Sequence, residues 1–294
     1  MSVSLELEAP AKVNLGLRIV GRRADGYHEL ESLFVPIDLA DAIALRIESA
    51  AAPEVRLAIT GDAPGAPPGG DNLAVRAAHA FLAQGGIRAR VAIGLTKRTP
   101  VAAGLGGGSS DAAAVLRGLA LAFPAAVAGP ALEEIALALG ADVPFFLDPR
   151  PSWVTGIGER REPVSGVPPL TLLLANPGEA LATAEVFRAF DAIASPLARR
   201  SEAPRALARE FTDDAALAGR IRNDLEAPAV RLCPPMARLR AQLSAAGARA
   251  VGMSGSGATV YGVFASRAAA EEAASVLGLP ARGWARVAAT GESR

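Results

Sequence analysis

Apolar and polar residues alternate with a period of two over much of the first hundred residues. This pattern is typical of half-buried β-strands. It predicts strands at SLELEA, KVNLGLRIVG, YHELESLFVPI, DAIALRIES, VRLAITG and RVAIGLTK.

Helical spacing appears between and after these strands. Asp71 or Asn72 can cap a helix that ends near Gln84, and a glycine-rich loop leads into a helix that ends near Pro124. A third helix is predicted from Ala131 to Leu139, where Gly140 ends it.

The second half continues the mixture of strands and helices. It predicts strands at LTLLLANP, ARAVGM, TVYGVFAS and residues 285–289, and helices at residues 182–190, 235–246 and 267–277. Because no regular βαβ repeat is visible, we expect an α+β fold. The Gly- and Pro-rich stretch Gly156–Pro169 predicts a boundary between a domain of residues 1–157 and one of residues 158–294.

Composition supports two globular domains. The chain has 294 residues, of which 51% are hydrophobic, and a domain commonly has about 150 residues. Lys plus Arg and Asp plus Glu are balanced at 30 each, and no basic patch is interleaved with aromatic residues. The sequence therefore argues against binding to nucleic acid or to a membrane surface.

Cysteine and histidine usage limits the chemistry. Cys233 is the one cysteine, so no intrachain disulfide can form, which fits a reducing compartment. The N-terminal residues lack a signal-peptide pattern, and we expect a cytoplasmic protein. With His28 and His79 the only histidines, a Cys/His zinc site is not predicted, and a metal would depend on carboxylates or on a ligand's phosphates, as Mg²⁺ does.

The stretch GLGGGSSD, which begins at Gly104, concentrates bare backbone before a helix. It is not a Walker A loop, since no lysine follows the glycines, and it is not a dinucleotide fingerprint, since Ser109 stands where the last glycine belongs. Glycines and a helix N-terminus can still hold an anion, with Ser109 or Ser110 as the cap. The alternative is a strand-to-helix turn followed by a closely packed helix of small residues.

Two other stretches carry candidate chemistry. GMSGSGAT, from Gly252 to Thr259, is a second Gly/Ser loop, or simply a tight turn. Pro10–Phe34 contains Lys12 at the start of a strand and a Tyr-His pair after a turn. Lys12 alone is typical of a solvated surface lysine, and the pair is compatible with ordinary strand residues.

Together the three stretches resemble the motifs of the GHMP kinases, and PVAAGLGGGSSDAA is similar to that family's ATP loop. AKVNLGL, RADGYHELESLF, GADVPFFL and GSGAT resemble the branch whose small-molecule substrate is CDP-methylerythritol. Residues 193–221 match nothing residue by residue. The resemblance implies a two-domain α+β kinase, with ATP on the N-terminal domain and the active site in the interdomain cleft.

The resemblance also implies residue roles in transfer of the γ-phosphoryl of ATP to an alcohol. Asp142 would accept or orient the hydroxyl proton, and Lys12 would stabilise the developing oxyanion. A capping aspartate and an ordinary ion pair are the alternatives. The ATP phosphates would be held by Pro100, Val101, Ala102, Ala103, Gly104, Leu105, Gly106, Gly107, Gly108, Ser109 and Ser110.

Mg²⁺ would bridge those phosphates with few protein ligands, and no residue is assigned to it. Asp111 would favour the helix N-terminus rather than approach the metal. As partners we expect the small-molecule substrate only, with no nucleic acid and no membrane, and a monomer or weak homodimer.

For the substrate, the resemblance implies that Tyr27 stacks on the cytosine base, His28 hydrogen-bonds its edge and Phe187 forms the opposite wall. Asn14 would bind near the reacting centre, and Thr183 is a weaker candidate. Asn223 and Asp224 would line the cleft or cap a helix.

Three rival hypotheses remain at this point. A GHMP kinase for homoserine or a mevalonate derivative would have no use for base-binding residues such as Tyr27 and His28. A nucleotide sensor of the same fold would have no use for Lys12 and Asp142. A structural or nucleic-acid-binding α+β protein is disfavoured by the balanced charge.

Overall fold

The computed structural model describes residues 2–62, 65–127, 129–193 and 214–291, in two compact units. The first unit comprises Met1–Ala11, Leu39–Val101 and Gly106–Pro149. The second comprises Lys12–Asp38, Ala102–Leu105 and Arg150–Arg294. Each unit is built from separate stretches of the chain, and the boundary between residues 157 and 158 stays a prediction.

Two long strands open the chain: β1 spans Ser2–Arg22 and β2 spans His28–Ser49. Each was predicted as two separate strands, with breaks at residues 10–11 of β1 and 38–40 of β2. In the structure both breaks lie inside one continuous strand, and residues 9–17 of β1 and 32–37 of β2 are buried without interruption. A strand buried on both faces loses its alternation, so the pattern alone could not join the halves.

In the first unit, β3 (Glu54–Gly61) lies parallel to β4 (Ala89–Lys97), and β4 pairs antiparallel with the C-terminal part of β2. A parallel pair needs a long connection, which here contains α1 (Leu73–Gln84). Of the two predicted caps, Asn72 serves: its side chain accepts a hydrogen bond from the backbone N of Ala74 at 2.9 Å.

Three more helices complete the first unit: α2 (Gly107–Ala122), α3 (Pro130–Leu139) and α4 (Val143–Leu147). The predicted cap of α2 at Ser109 or Ser110 is wrong. The helix begins earlier, with Gly106 at the capping position, a φ of 72° and no side-chain hydrogen bond. The short α4 was not predicted, since five residues show no helical period.

In the second unit, four antiparallel strands form a sheet in the order β10-β7-β9-β8. Their bounds are β7 Thr171–Asn176, β8 Ala250–Met253, β9 Val260–Phe264 and β10 Trp284–Ala289. The N-terminal part of β2 pairs with β5 (Ser152–Gly156), which pairs with β6 (Arg160–Pro163). The mixed, mainly antiparallel pairing confirms the predicted α+β class.

The described helices of the second unit are α5 (Thr183–Asp191), α6 (Asp214–Arg220), α7 (Glu226–Leu232), α8 (Pro235–Ala245) and α9 (Arg267–Val276). Helices α6 and α7 were not predicted, because they are only two turns long. The β5–β6 hairpin was also missed: it turns at Gly156, whose φ is 72°, within the stretch that we interpreted as a boundary. Most of the unmatched segment, residues 194–213, lies outside the described residues.

Across the described ranges, no helix is both long enough and apolar enough to cross a membrane.

Helix α2 lies close to β1 and β2 at Gly118. A Cβ atom at this position would lie 2.4 Å from Leu45 Cδ1 and 2.9 Å from Leu7 Cδ1, so both leucine side chains would have to shift to admit it. The glycine therefore sets the distance between this helix and the sheet beneath it.

We expect Gly118→Val to lower the free energy of unfolding by about 1–3 kcal/mol, because the added methyl groups overpack the core. Urea denaturation followed by far-UV circular dichroism measures the change. The control is Leu121→Ala on the same helix, where the side chain is 67% exposed. Equal stability of the valine variant and the control would contradict the packing argument.

Candidate functional site

Lys12 and Asn14 lie two positions apart on β1 and therefore share a face. Lys12 Nζ donates to Asn14 Oδ1 at 2.6 Å, and Asn14 Nδ2 donates to Ser32 Oγ on β2 at 2.8 Å. Ser32 Oγ in turn donates to the carbonyl of Gly16 at 2.6 Å. The network fixes the asparagine amide by bonding both of its ends.

Lys12 is buried at 3% exposure, so its interpretation as a solvated surface lysine is wrong. Its ammonium lies 4.2 Å from the centroid of the Phe34 ring, an attractive cation–π distance. Tyr261, fully buried on β9, donates from its hydroxyl to the carbonyl of Asn14 at 2.8 Å. Burial raises the pKa of this phenol, so it stays a neutral donor.

Left-handed backbone recurs at alternate positions of the glycine loop, with φ of 54° at Ala102, 74° at Gly104 and 72° at Gly106. Alternation of this kind turns successive N–H groups toward a common anion. At Gly104, a Cβ would lie 2.5 Å from the carbonyl oxygen of Ser254 and 2.9 Å from that of Gly257. Only glycine fits at this position.

The second Gly/Ser loop, which joins β8 to β9, supports the first. Ser254 Oγ donates to the carbonyl of Gly104 at 2.9 Å and accepts from the backbone N of Asn14 at 3.3 Å. The backbone N of Lys12 donates to the carbonyl of Leu105 at 2.9 Å. One serine therefore joins the glycine loop to the strand that carries Lys12.

The predicted ATP-loop residues differ in exposure. Ala103, Leu105 and Ser110 are buried, Val101, Ala102 and Gly108 are exposed, and Pro100, Gly104, Gly106, Gly107 and Ser109 are intermediate. Ala103 and Leu105 thus anchor the loop in the interior, while Val101, Ala102 and Gly108 face solvent.

A buried charge cluster lies at the start of α2. Lys97 Nζ donates to Asp41 and, at 2.8 Å, to Asp111 Oδ2. Asp41 also accepts from the backbone N of Thr99 at 2.8 Å. All three charged side chains are at most 4% exposed. Asp111 therefore faces Lys97. We expected Asp111 either to favour the helix N-terminus or to approach a metal ion, and neither expectation included Lys97 as its partner.

Two carboxylates share one ammonium in this cluster. Burial raises the pKa of Asp111 to about 7; Lys97 opposes this shift, and the Asp41 carboxylate adds to it. The pKa of Lys97 is raised, because the attraction of Asp111 and Asp41 outweighs its own burial. Lys97 thus stays charged while Asp111 holds a proton readily.

Three polar atoms beside this cluster are buried without a hydrogen-bond partner: Ser110 Oγ, Thr99 Oγ1 and Asp111 Oδ1. A Cβ at Gly107 would lie 2.8 Å from Thr99 Cγ2 and 3.4 Å from Lys97 Nζ. Unsatisfied buried oxygens are uncommon in proteins, so a polar ligand at the loop would find partners here.

Asp142 occupies the capping position of α4, yet its side chain makes no capping hydrogen bond to that helix. The capping alternative is therefore not what the structure has. The side chain is of intermediate exposure, and Val143 to Phe146 behind it are buried.

Two of the predicted base-binding residues, His28 and Phe187, meet at α5. The His28 ring stacks on Phe187 with centroids 4.9 Å apart and 21° between the planes. His28 Nε2 lies 2.6 Å from Asp191 Oδ1. Tyr27, the preceding residue, is 61% exposed. Phe187, of intermediate exposure, is not the core phenylalanine of this helix; Phe190 is.

The remaining predicted residues, Thr183, Asn223 and Asp224, contact the β8–β9 loop or β1. Thr183 Oγ1 lies 3.0 Å from Ser256 Oγ in the β8–β9 loop. Asn223 Nδ2 donates to the carbonyls of Met253 and Gly255, and Asp224 Oδ2 accepts from the backbone N of Ile19. Both residues of the pair bind backbone of neighbouring segments.

Within residues 2–62, 65–127, 129–193 and 214–291, no group of three or more His, Cys, Asp or Glu side chains could hold a metal ion. Cys233 is buried, and burial raises the pKa of its thiol to about 11. A thiol that stays protonated is a poor nucleophile.

Sequence reasoning missed several supporting residues: Ser32, Asp41, Lys97, Asp191, Ser254 and Tyr261. Lys97 and Asp41 carry a usable signal, since a charged residue at an inward position of a strand is unusual. The other partners depend on contacts between residues far apart in sequence.

We expect Gly104→Ala to lower the free energy of unfolding by about 1–3 kcal/mol, because a Cβ would collide with backbone carbonyls at a left-handed residue. Gly108→Ala is the matched control: its Cβ would make only an ordinary 3.7 Å contact with Leu73, and alanine favours a helix by up to about 1 kcal/mol. Urea titrations compare the two. Equal loss in both would refute the steric account.

The raised pKa of Asp111 predicts a pH dependence. The folded protein binds this proton up to about pH 7, whereas the unfolded chain releases it near its ordinary value of 3.8. Stability contributed by this group therefore falls as pH rises from about 4 to about 7. Asp111→Asn should remove that slope, and Asp71→Asn, an exposed control, should retain it. Urea unfolding at stepped pH tests this, and an unchanged slope in Asp111→Asn would overturn it.

Comparison with known proteins adds independent findings. The family model "GHMP kinases N terminal domain" matches residues 72–148, and "GHMP kinases C terminal" matches residues 197–279. The 4-diphosphocytidyl-2-C-methyl-D-erythritol kinase of Anaeromyxobacter dehalogenans (strain 2CP-C) is 48% identical over 282 residues, covering 94% of this chain and 86% of the relative.

Two solved structures are similar to this chain along most of its length. A crystal structure of 4-(cytidine 5'-diphospho)-2C-methyl-D-erythritol kinase matches with a TM-score of 0.78 and 40% identity, covering 98% of this chain and 100% of that one. A homoserine kinase from Cytophaga hutchinsonii matches with a TM-score of 0.70, covering 98% of this chain and 94% of that one. At 17% identity this likeness shows the fold alone. With both family domains matched and a 48% identical relative along most of its length, the chain belongs to the GHMP kinases.

Proposed function

We propose that the chain transfers the γ-phosphoryl group of ATP to the 2-hydroxyl of 4-diphosphocytidyl-2-C-methyl-D-erythritol, giving the 2-phosphate and ADP. This is an ATP-dependent kinase reaction of the non-mevalonate isoprenoid precursor pathway. The observation that carries the proposal is the 48% identity to a kinase named for this substrate, over 94% of the chain.

The glycine loop is proposed to hold the ATP phosphates. Ala102, Gly104 and Gly106 have left-handed backbone, and α2 begins at Gly107, where the backbone donors of a helix N-terminus favour an anion. The buried hydroxyl of Ser110 lacks a partner, which fits a polar ligand at this place. Mg²⁺ would neutralise phosphate charge when bound, and Asp111 Oδ2 already accepts a hydrogen bond from the Lys97 ammonium.

Lys12 and Asp142 are proposed to serve the reacting hydroxyl. A buried ammonium stabilises a developing alkoxide, and the bond from Lys12 to Asn14 holds its direction. Asp142 would accept or orient the proton of the hydroxyl. Asp142 lies at the start of α4 and is of intermediate exposure.

The cytidine end of the substrate is proposed to bind at His28 and Phe187, with Tyr27 and Thr183 beside them. Phe187 was expected to form one wall of the base pocket. In the structure one face of its ring stacks on the His28 imidazole. Exposed Tyr27 is able to stack on a base, since it presents most of its ring to solvent.

Two rival substrates of this fold are homoserine and a mevalonate derivative. A homoserine kinase resembles the chain in fold, so architecture does not select the substrate. The histidine, aromatic and carboxylate group around His28 favours a substrate with a base, which homoserine and mevalonate lack. A monomer or weak homodimer in the cytoplasm stays a prediction.

The test is ADP release with Mg²⁺-ATP and one of four acceptors: the cytidine-diphosphate substrate, homoserine, mevalonate or none. Release should require the cytidine substrate. Asp142→Asn should lower kcat by about 10²–10⁴-fold with little change in thermal unfolding, because proton acceptance is lost without a change in shape.

Asp148→Asn is the matched control, since Asp148 flanks the other end of α4 and is exposed. Release with another acceptor would discard the proposed substrate. Activity of Asp142→Asn within a few-fold of the control would discard the role of Asp142.

A further inference from the structure

The last turns of α5 present three side chains to one imidazole. Phe187 stacks on His28, Phe190 meets it edge-on at 5.9 Å between centroids, and Asp191 Oδ1 lies 2.6 Å from Nε2. Positions 187, 190 and 191 are three and four residues apart, so they share one face of the helix. A single helix thus sets both the plane and the rotation of this ring.

The ring has little freedom to turn. The His28 side chain is 7% exposed, and Asp191 is itself held, since its Oδ2 lies 3.5 Å from Arg22 Nη1. A flip of the imidazole would replace the bond to Asp191 with a carbon facing a carboxylate. The observed orientation is therefore the one that the surrounding side chains select.

The carboxylate also decides which nitrogen carries hydrogen. An ionised carboxylate only accepts, so Nε2 must donate to it. A neutral imidazole has one N–H, and its other nitrogen then holds a lone pair. With Nε2–H committed to Asp191, Nδ1 becomes a hydrogen-bond acceptor.

We infer that Asp191 determines base specificity by holding His28 with Nδ1 as an acceptor for the 4-amino group of cytosine. This inference rests on the proposed function, in which the base of the substrate binds at His28. Cytosine carries an N–H donor at position 4, whereas uracil carries a carbonyl acceptor there. Two acceptors facing each other leave both unpaired, which disfavours uracil. Asp191 acts through His28 and is a positioning residue.

The hydrogen on the ring can be measured directly. The chain has two histidines, so ¹⁵N–¹H correlation spectra contain two imidazoles, and His79→Gln identifies the signals of His28. At pH 8 we expect protonated Nε2 and unprotonated Nδ1 in the wild-type protein, and mixed tautomers in Asp191→Ala. A proton on Nδ1 in the wild-type protein would overturn the inference, and this measurement needs no activity.

Kinetics test the consequence for specificity. The ratio of kcat/KM between the cytidine-diphosphate acceptor and its uridine analogue should fall by about tenfold or more in Asp191→Ala, mainly through the KM of the cytidine acceptor. Asp191→Glu should restore part of the ratio, because it keeps an acceptor near Nε2. Glu185→Ala, which removes an exposed carboxylate from the same helix, should leave the ratio unchanged.

The outcomes are distinguishable. Equal losses for both acceptors in Asp191→Ala, with the ratio intact, would reduce Asp191 to a structural role and overturn the inference. Wild-type protein that releases ADP with neither acceptor would overturn the proposed function and the inference with it. The proposed function and the inference are both supported if the wild-type protein prefers the cytidine acceptor and Asp191→Ala loses that preference while Glu185→Ala keeps it.

Discussion

The close approach of bare backbone to its neighbours is the constraint on which the functional part of this protein depends. At Gly104 there is no room for a Cβ beside the carbonyls of Ser254 and Gly257, and at Gly107 there is none beside Thr99. These close contacts restrict the conformation of the glycine loop, which has few side chains of its own. Order comes from what surrounds the loop, so the entropy that glycine loses on folding is offset by contacts from outside.

Burial of charge accompanies this packing. Lys97 lies between Asp41 and Asp111 beneath the first turn of α2, and taking such groups out of water costs several kcal/mol per ion before pairing. A cluster of this kind is a poor source of stability. Its geometry is strict, however, because each carboxylate must meet the same ammonium. It joins the start of α2 to β4 and β2 through a single ammonium.

The sequence predicts the helices, the strands and the motif residues better than it predicts the residues that hold those motifs in place. Alternation identified the outer parts of β1 and β2, a continuous apolar run identified β7, and helical spacing identified the helices longer than two turns. Helices α4, α6 and α7 were too short to show a period. The motif residues were named because they lie close together in sequence. Ser254 beneath Gly104 and Asp191 beside His28 were not, since 150 and 163 positions separate these partners.

The placement of large aromatic rings has a practical consequence. Trp153 on β5 and Trp284 on β10 are the two tryptophans, and Tyr27 and Tyr261 are the two tyrosines; all four belong to the second unit. The first unit, which contains α2 and the buried charge cluster, has phenylalanine as its only benzenoid chromophore. Intrinsic ultraviolet emission excited at 295 nm therefore reports on one half of the molecule and is silent on the other. Unfolding curves from emission and from backbone ellipticity would coincide only if the two units melt together, so the native chain already carries the label needed to ask whether they do.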